Sequence, residues 1–236
     1  MPSIYFLIFF ISLNFTSIVS RASDMTFPST SVKSLSVSIS KGSIFINGNE
    51  SNKDISVSIK NLKKSPESEK CIKKMGLEGT TLDISVSNEN SLFEKASCEF
   101  EVTVNFNAKT LSNPESLIKL RTSNGAIVVK GVSSELDFVT ATGNILVDAE
   151  QLRNVNVKTA TGSQNFSFKA CPKRADVDLI TATGQLDLKL PSTCKIKVDF
   201  KSGAGKLFNP IGESADYSVK INATSASGDL NLAKFK

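Results

Sequence analysis

The chain has 236 residues, with 28 Lys and Arg against 23 Asp and Glu and a net charge of +5. It contains no His and no Trp, which removes Ser–His and Cys–His nucleophile pairs and the usual imidazole metal sites. The 13 Gly, 7 Pro and short apolar runs leave little room for helix.

Residues 1–22 are expected to be a signal peptide. Ile4 to Ile11 is apolar apart from Tyr5, a more polar stretch follows, and Ser20-Arg21-Ala22 offers small residues where a signal peptidase reads, so cleavage is expected after Ala22. The alternative is an uncleaved anchor, because Lys and Arg are absent from the first residues. No cysteine lies near the cleavage point, which argues against lipoprotein processing. No other stretch has membrane-spanning length, so the mature chain is expected to be exported, periplasmic, outer-envelope or secreted, touching a membrane only through an uncleaved signal segment. Cleavage would remove one charged residue, Arg21, and leave a net charge of +4.

Residues 23–116 are expected to form an irregular β part. Leu35-Ser-Val37-Ser-Ile39 alternates, Lys41-Gly42 turns, Ile44-Phe45-Ile46 resumes, Asn47-Gly48 turns again, and Ile55-Ser-Val57-Ser-Ile59 alternates once more. Leu82–Val86 and Phe100–Phe106 are further half-buried strands, and Glu67 to Met75 has room for a turn or two of helix. A basic loop at 60–74 carries Lys60, Lys63, Lys64, Lys70, Lys73 and Lys74 against Glu67 and Glu69. It suits contact with an anionic polymer; nucleic acid is not expected, because no aromatic residue is interleaved with the lysines.

Residues 117–236 repeat one pattern six times: strand, short turn, strand. Thr140-Ala-Thr-Gly143, Thr159-Ala-Thr-Gly162, Thr181-Ala-Thr-Gly184 and Ser225-Ala-Ser-Gly228 are the clear turns, and Thr122–Gly125 and Ser202–Gly205 the degenerate ones. The six glycines are spaced 18, 19, 22, 21 and 23 residues apart. Seven residues before each glycine stand Ile118, Leu136, Val155, Val177, Val198 and Ile221; five before stand Leu120, Phe138, Val157, Leu179, Phe200 and Ala223. Between these apolar columns runs a polar one, Lys119, Asp137, Asn156, Asp178, Asp199 and Asn222, so each strand has one buried face. In the third copy Gln164 takes an aliphatic position before Phe166 and Phe168, which reads as a one-residue bulge. A period near 20 residues holds two strands and two turns but no crossover helix. The expected architecture is therefore all-β, a single-domain parallel β-helix or β-solenoid with repeats of 18–23 residues, and the alternative is a β-sandwich.

The Leu35 to Ile46 opening, the Cys98 to Phe106 strand and the run of Ser-Asn-Gly and Thr-Ala-Thr-Gly turns resemble the bacterial "putative adhesin" repeat family. The resemblance covers most of the mature chain. It implies an exported or membrane-tethered β-solenoid domain and carries over no catalytic residues.

Four cysteines in an exported chain suggest disulfides. Cys171 and Cys194 are one repeat length apart, and Cys71 and Cys98 flank the Leu82–Val86 strand, so of the three pairings 71 with 98 and 171 with 194 is favoured. No Cys-x-x-Cys spacing points to a metal, and no cofactor is expected. Ser202-Gly-Ala-Gly-Lys206 looks superficially like a phosphate loop but occupies a repeat turn. In a sequentially stacked coil Asp178 and Asp199 would be direct neighbours at about 4.8 Å, a weak candidate pair for a metal or for carboxylate chemistry. The function read from these residues is that of a non-catalytic, adhesin-like or structural envelope protein binding polymers or proteins through its strand faces. The alternatives are a carbohydrate-active or carbohydrate-binding β-helix and a periplasmic sensor or accessory domain. Open stack ends would also permit end-to-end or edge self-association.

Overall fold

The computed structural model describes residues 24–63, 71–88 and 98–235. The signal segment expected over 1–22 lies outside these residues, as do Lys64 and Lys70 of the basic loop. Among the described residues the chain is all-β. Its strands are β1 Asp24–Phe27, β2 Ser34–Ile39, β3 Ile44–Gly48, β4 Ile55–Asn61, β5 Cys71–Glu78, β6 Thr81–Asn88 and β7 Phe100–Phe106. The repeats then supply β8 Leu117–Asn124, β9 Ile127–Lys130, β10 Glu135–Thr142, β11 Ile145–Gln151, β12 Val155–Thr161, β13 Gln164–Ala170, β14 Ala175–Thr183, β15 Leu186–Pro191, β16 Ile196–Ser202, β17 Leu207–Phe208, β18 Val219–Ser225 and β19 Leu230–Phe235. The Glu67–Met75 segment, expected to turn helically, instead enters β5 from Cys71 onward, paired with β6.

The strands form two mixed sheets. One runs β1-β4-β7-β3-β9-β11-β13-β15-β19-β17 and the other β16-β18-β14-β12-β10-β8-β2-β6-β5. Each repeat sends its first strand to the nine-stranded sheet and its second to the ten-stranded one, so strands pair with the adjacent layer in parallel and in register: Leu136 with Val155, Val155 with Val177, Val177 with Ile221. Antiparallel pairing is confined to β1, β4 and β5, with β4 on β7, β1 on β4 and β5 on β6.

Spatial order departs from chain order at both extremes. β2 lies between β6 and β8, and the last repeat lies between the fourth and the fifth: β18 pairs with β14 on one side and β16 on the other. Asn222 therefore sits between Asp178 and Asp199, and the two aspartates expected to be neighbours are separated by a strand. This order relieves a like-charge contact that sequential stacking would impose.

The inward columns of both sheets join one hydrophobic core, in which Ile118, Leu120, Phe138, Val157, Val177, Leu179 and Ile221 are fully buried. Gln164 corrects the expected bulge. It stays in register between Ile145 and Leu186, is 0% exposed, and its Nε2 donates to the carbonyl of Ile180 on the other sheet at 3.0 Å. Its length lets an amide occupy an aliphatic place without shifting the ladder.

The turns are organised by a column of stacked glycines. Gly42, Gly125, Gly143, Gly162 and Gly184 have φ between +118° and +150°, a region that L side chains avoid. A Cβ added to Gly143 would lie 2.0 Å from the carbonyl oxygen of Gly125, and the same clash recurs from Gly162 to Gly143 and from Gly184 to Gly162. Backbone bonds tie the layers, with Gly125 N–H donating to Thr142 and Gly143 N–H to Thr161, both at 2.9 Å. Three of the hydroxyls three residues earlier serve this turn: Thr159 and Thr181 donate to the carbonyls of Thr161 and Thr183, and Thr122 to that of Gly42.

Two disulfides join the expected pairs. Cys71–Cys98 links β5 to the segment entering β7, and Cys171–Cys194 links the ends of neighbouring turns, with Cα separations of 5.8 and 5.6 Å.

Candidate binding surface

Strict alternation leaves one side chain in two on the outer face of each sheet, and parallel register gathers these into rows. On the nine-stranded sheet one row reads Asp83, Ser36, Lys119, Asp137, Asn156, Asp178, Asn222, Asp199. Its carboxylates are interleaved with amides that donate to them: Asn156 Nδ2 to Asp137 Oδ1 at 3.3 Å and Asn222 Nδ2 to Asp178 Oδ1 at 2.8 Å. Asp199 Oδ2 lies 3.5 Å from Lys201 Nζ. Among the described residues no three His, Cys, Asp or Glu side chains gather into a metal-holding group.

The ten-stranded sheet repeats the theme. Asp187 Oδ1 accepts from Gln185 Nε2 at 2.8 Å and from Asn231 Nδ2 at 2.9 Å, and Asn47 Nδ2 donates to Asn105 Oδ1 at 3.0 Å. Phe45, Val128 and Leu146 lie side by side in register on this outer face.

The described lysines of the basic loop lie on both sheets. Lys60 belongs to β4 on the ten-stranded sheet, whereas Lys74 belongs to β5 on the nine-stranded one. Lys63 Nζ lies 3.3 Å from Glu99 Oε2, which Lys41 Nζ also approaches at 3.1 Å. Hydrogen bonding from Lys41, then from Lys63, holds the Glu99 carboxyl below its usual range against a partial desolvation effect. Lys73 Nζ stands 4.9 Å from the centroid of the Phe100 ring, covering the core at this end.

Sequence reasoning missed a shallow cavity of about 350 Å³ on the nine-stranded sheet, lined by Ser38, Ser40, Ser85, Ser87, Ser123 and Arg121 with Val139 beside them. Small side chains on β2 and β6 sit next to larger ones on β8 and β10, and the step leaves a trough. Arg121 Nη2 donates to Asp137 Oδ2 at 2.8 Å, which fixes the guanidinium at its wall. The available signal was the Ser-x-Ser-x-Ser run of Ser34, Ser36 and Ser38, whose outward direction the alternation already gave.

No family model matches this sequence, and no curated protein does. Solved structures do resemble it. A "putative cell adhesion protein" from Clostridium sporogenes superposes with a TM-score of 0.53 at 16% identity, over 90% of this chain and 98% of that one. A "putative adhesin" from Bacteroides fragilis gives a TM-score of 0.45 at 11% identity, over 91% and 98% of the two chains. One from Parabacteroides distasonis gives 0.34 at 10%, over 88% and 95%. The chain shares the fold of the Clostridium sporogenes protein.

Proposed function

We propose that the two sheets are the faces of one flattened parallel β-solenoid, exported by the segment at 1–22, and that the protein acts without catalysis as an adhesin-like or structural component of the cell envelope. The observation carrying this reading is the way the outer rows saturate themselves. Asp137, Asp178 and Asp187 each accept from a neighbouring amide, so the acids serve as rungs of a flat polar surface. Paired acid–base chemistry wants carboxylates brought together with unlike environments. The fold shared with a protein described as a cell adhesion protein agrees with this, and the two disulfides suit an oxidising compartment outside the cytosol.

The partners in this reading are an envelope polymer or protein, and a second copy of the chain meeting its exposed β16–β17 end, where Phe208 is 63% exposed. Purified residues 23–236 applied to an array of envelope polysaccharides, matrix proteins and lipids, with and without calcium, test the first. Saturable binding is expected to be calcium-independent and to survive Asp178→Ala and Asp199→Ala; a calcium requirement abolished by either substitution would reverse the non-catalytic, metal-free reading. Sedimentation of wild type against Phe208→Ser tests the second, and unchanged association would remove that contact.

A further inference from the structure

We propose that the serine trough on the nine-stranded sheet is a binding site for an oxyanion-bearing saccharide, a sugar chain carrying carboxylate or sulfate groups. The proposal deepens the adhesion reading by naming a ligand class and a place for it. It starts from the register. Lys74 on β5 stands opposite Ser85, Ser85 is beside Ser38, and Ser38 is beside Arg121. Two cations therefore bracket two serines along one outer row, with about 14 Å of backbone between them at three strand spacings. Two residues further along the strands, Ser40, Ser87 and Ser123 extend the same hydroxyl floor.

Three features separate this place from the rest of the surface. It is concave. Its hydroxyls are also unspent: among the described residues only Ser40 uses its side chain, a long 3.5 Å bond to the carbonyl of Cys98, while Asn and Asp side chains elsewhere are bonded to one another. Arg121, finally, is pre-positioned. Asp137 takes one bond from its Nη2, leaving further N–H donors of the planar fork for a ligand, and Arg forks match carboxylate and sulfate oxygens in geometry.

The hydroxyls decide between classes of ligand. Serine O–H both donates and accepts, which suits a partner presenting its own hydroxyls beside its charge. A sugar chain does so and can lie along a trough, whereas a bare phosphate brings no ring hydroxyls and a lipid headgroup layer presents its hydroxyls on a plane. Val139 beside Arg121 adds an apolar contact for the face of a ring.

The test is calorimetric titration of residues 23–236 with trigalacturonate as the carboxylate probe, a chondroitin sulfate hexasaccharide as the sulfate probe, maltotriose as the neutral control, and phosphatidylglycerol vesicles. Either acidic saccharide is expected to bind and maltotriose not to. Arg121→Gln is expected to weaken binding about tenfold, as loss of a charge-assisted bond does. Ser38→Val, which fills the trough without changing charge and keeps a residue suited to strands, should weaken it by a similar factor. Asp137→Asn should tighten it about twofold by removing a nearby negative charge, a gain that a merely structural role for the pair would not produce. Lys158→Gln, on the same row beyond Val139, should change nothing.

Equal binding by Arg121→Gln and wild type would overturn the proposal, as would equal binding of maltotriose, or binding to vesicles with none to either saccharide. The two readings fail separately. An array ligand whose binding ignores Arg121→Gln and Ser38→Val leaves adhesion standing and removes the trough; saccharide binding at the trough with no array ligand does the reverse.

Discussion

The two ends of the stack are built on opposite principles. At the β1–β5 end the chain turns back on itself: β4 and β5 run antiparallel to the outermost parallel strands, the Cys71–Cys98 bond joins the two sheets, and the Lys73 ammonium stands over the Phe100 ring. At the other end the fifth repeat is simply the last layer. β16 and β17 each have one strand neighbour, and Leu207 and Phe208 are 41% and 63% exposed. Val198 and Phe200 are only partly buried, although they occupy the columns in which Val177 and Leu179 are fully buried. A parallel repeat generates its own neighbour but cannot generate its own end, so burial at each position is set by the layer above it as much as by its own side chain. At this end β16 carries Lys197, Asp199 and Lys201 as exposed side chains, while the apolar pair on β17 stays open.

The sharpest way to break this contrast is through the glycine column. Gly143→Ala, in mid-stack, meets the Gly125 carbonyl at 2.0 Å with φ at +150°, and should cost roughly 4 kcal/mol or prevent folding. Gly212→Ala near the open end has φ +81° but nothing within 4 Å, and should cost about 1 kcal/mol; urea denaturation of both variants reads the difference. Next come the disulfides. Cys71→Ala with Cys98→Ala, and Cys171→Ala with Cys194→Ala, close loops of 27 and 23 residues and should each cost about 3 kcal/mol. Only loss of the first is expected to open β5 to limited proteolysis.

Core truncation follows. Leu179→Ala, fully buried, should cost about 3 kcal/mol, and Phe200→Ala at the open end about half of that, despite removing more atoms. Equal losses would mean that the end is covered in solution, as by a second copy. The smallest effect is that of pH. The Glu99 pKa is lowered in the fold, so the stability it contributes is present above its unfolded pKa and lost as pH falls through the lower folded value. Thermal melts from neutral to acidic pH should show this loss, diminished in Glu99→Gln.

Much of the fold was legible in the sequence. The alternation of Leu136, Phe138 and Thr140 gave the buried face, and the Thr-Ala-Thr-Gly turns gave the period. The one-repeat spacing of Cys171 and Cys194, and the placing of Cys71 and Cys98 on either side of Leu82–Val86, gave the two disulfide pairs. Layer order was not legible, because every repeat offers the same columns and any two could stack; what discriminates is the match of Ala223 beneath Phe200 and of Asn222 between two acids, which are pair properties. Gln164 was misread because a polar side chain in an apolar column has two remedies, a shifted strand or a carbonyl to bond, and only the opposite sheet shows that Ile180 supplies the second. The trough was hidden for a similar reason. Ser38, Ser85 and Arg121 lie far apart in the chain, and their neighbourhood depends on β2 slotting between β6 and β8.

The insertion of the last repeat also constrains the order of events during synthesis. As β16 and β17 leave the ribosome, the free edges of β14 and β15 are the nearest templates, and a growing stack would add them there in sequence. That premature layer would set Asp199 against Asp178 with no amide between them, and Phe200 against Leu179 where the finished protein has Ala223. Phe200 beside Leu179 would only repeat the buried pairing of Phe138 with Leu120, so it is the repulsion between the two carboxylates that disfavours the premature layer before the sixth repeat arrives. Asp199→Asn relieves the first contact and should therefore slow refolding by populating the misordered layer, seen as an added slow phase in stopped-flow fluorescence of Tyr217; single-phase refolding at the wild-type rate would show that the acid pair plays no part in the timing.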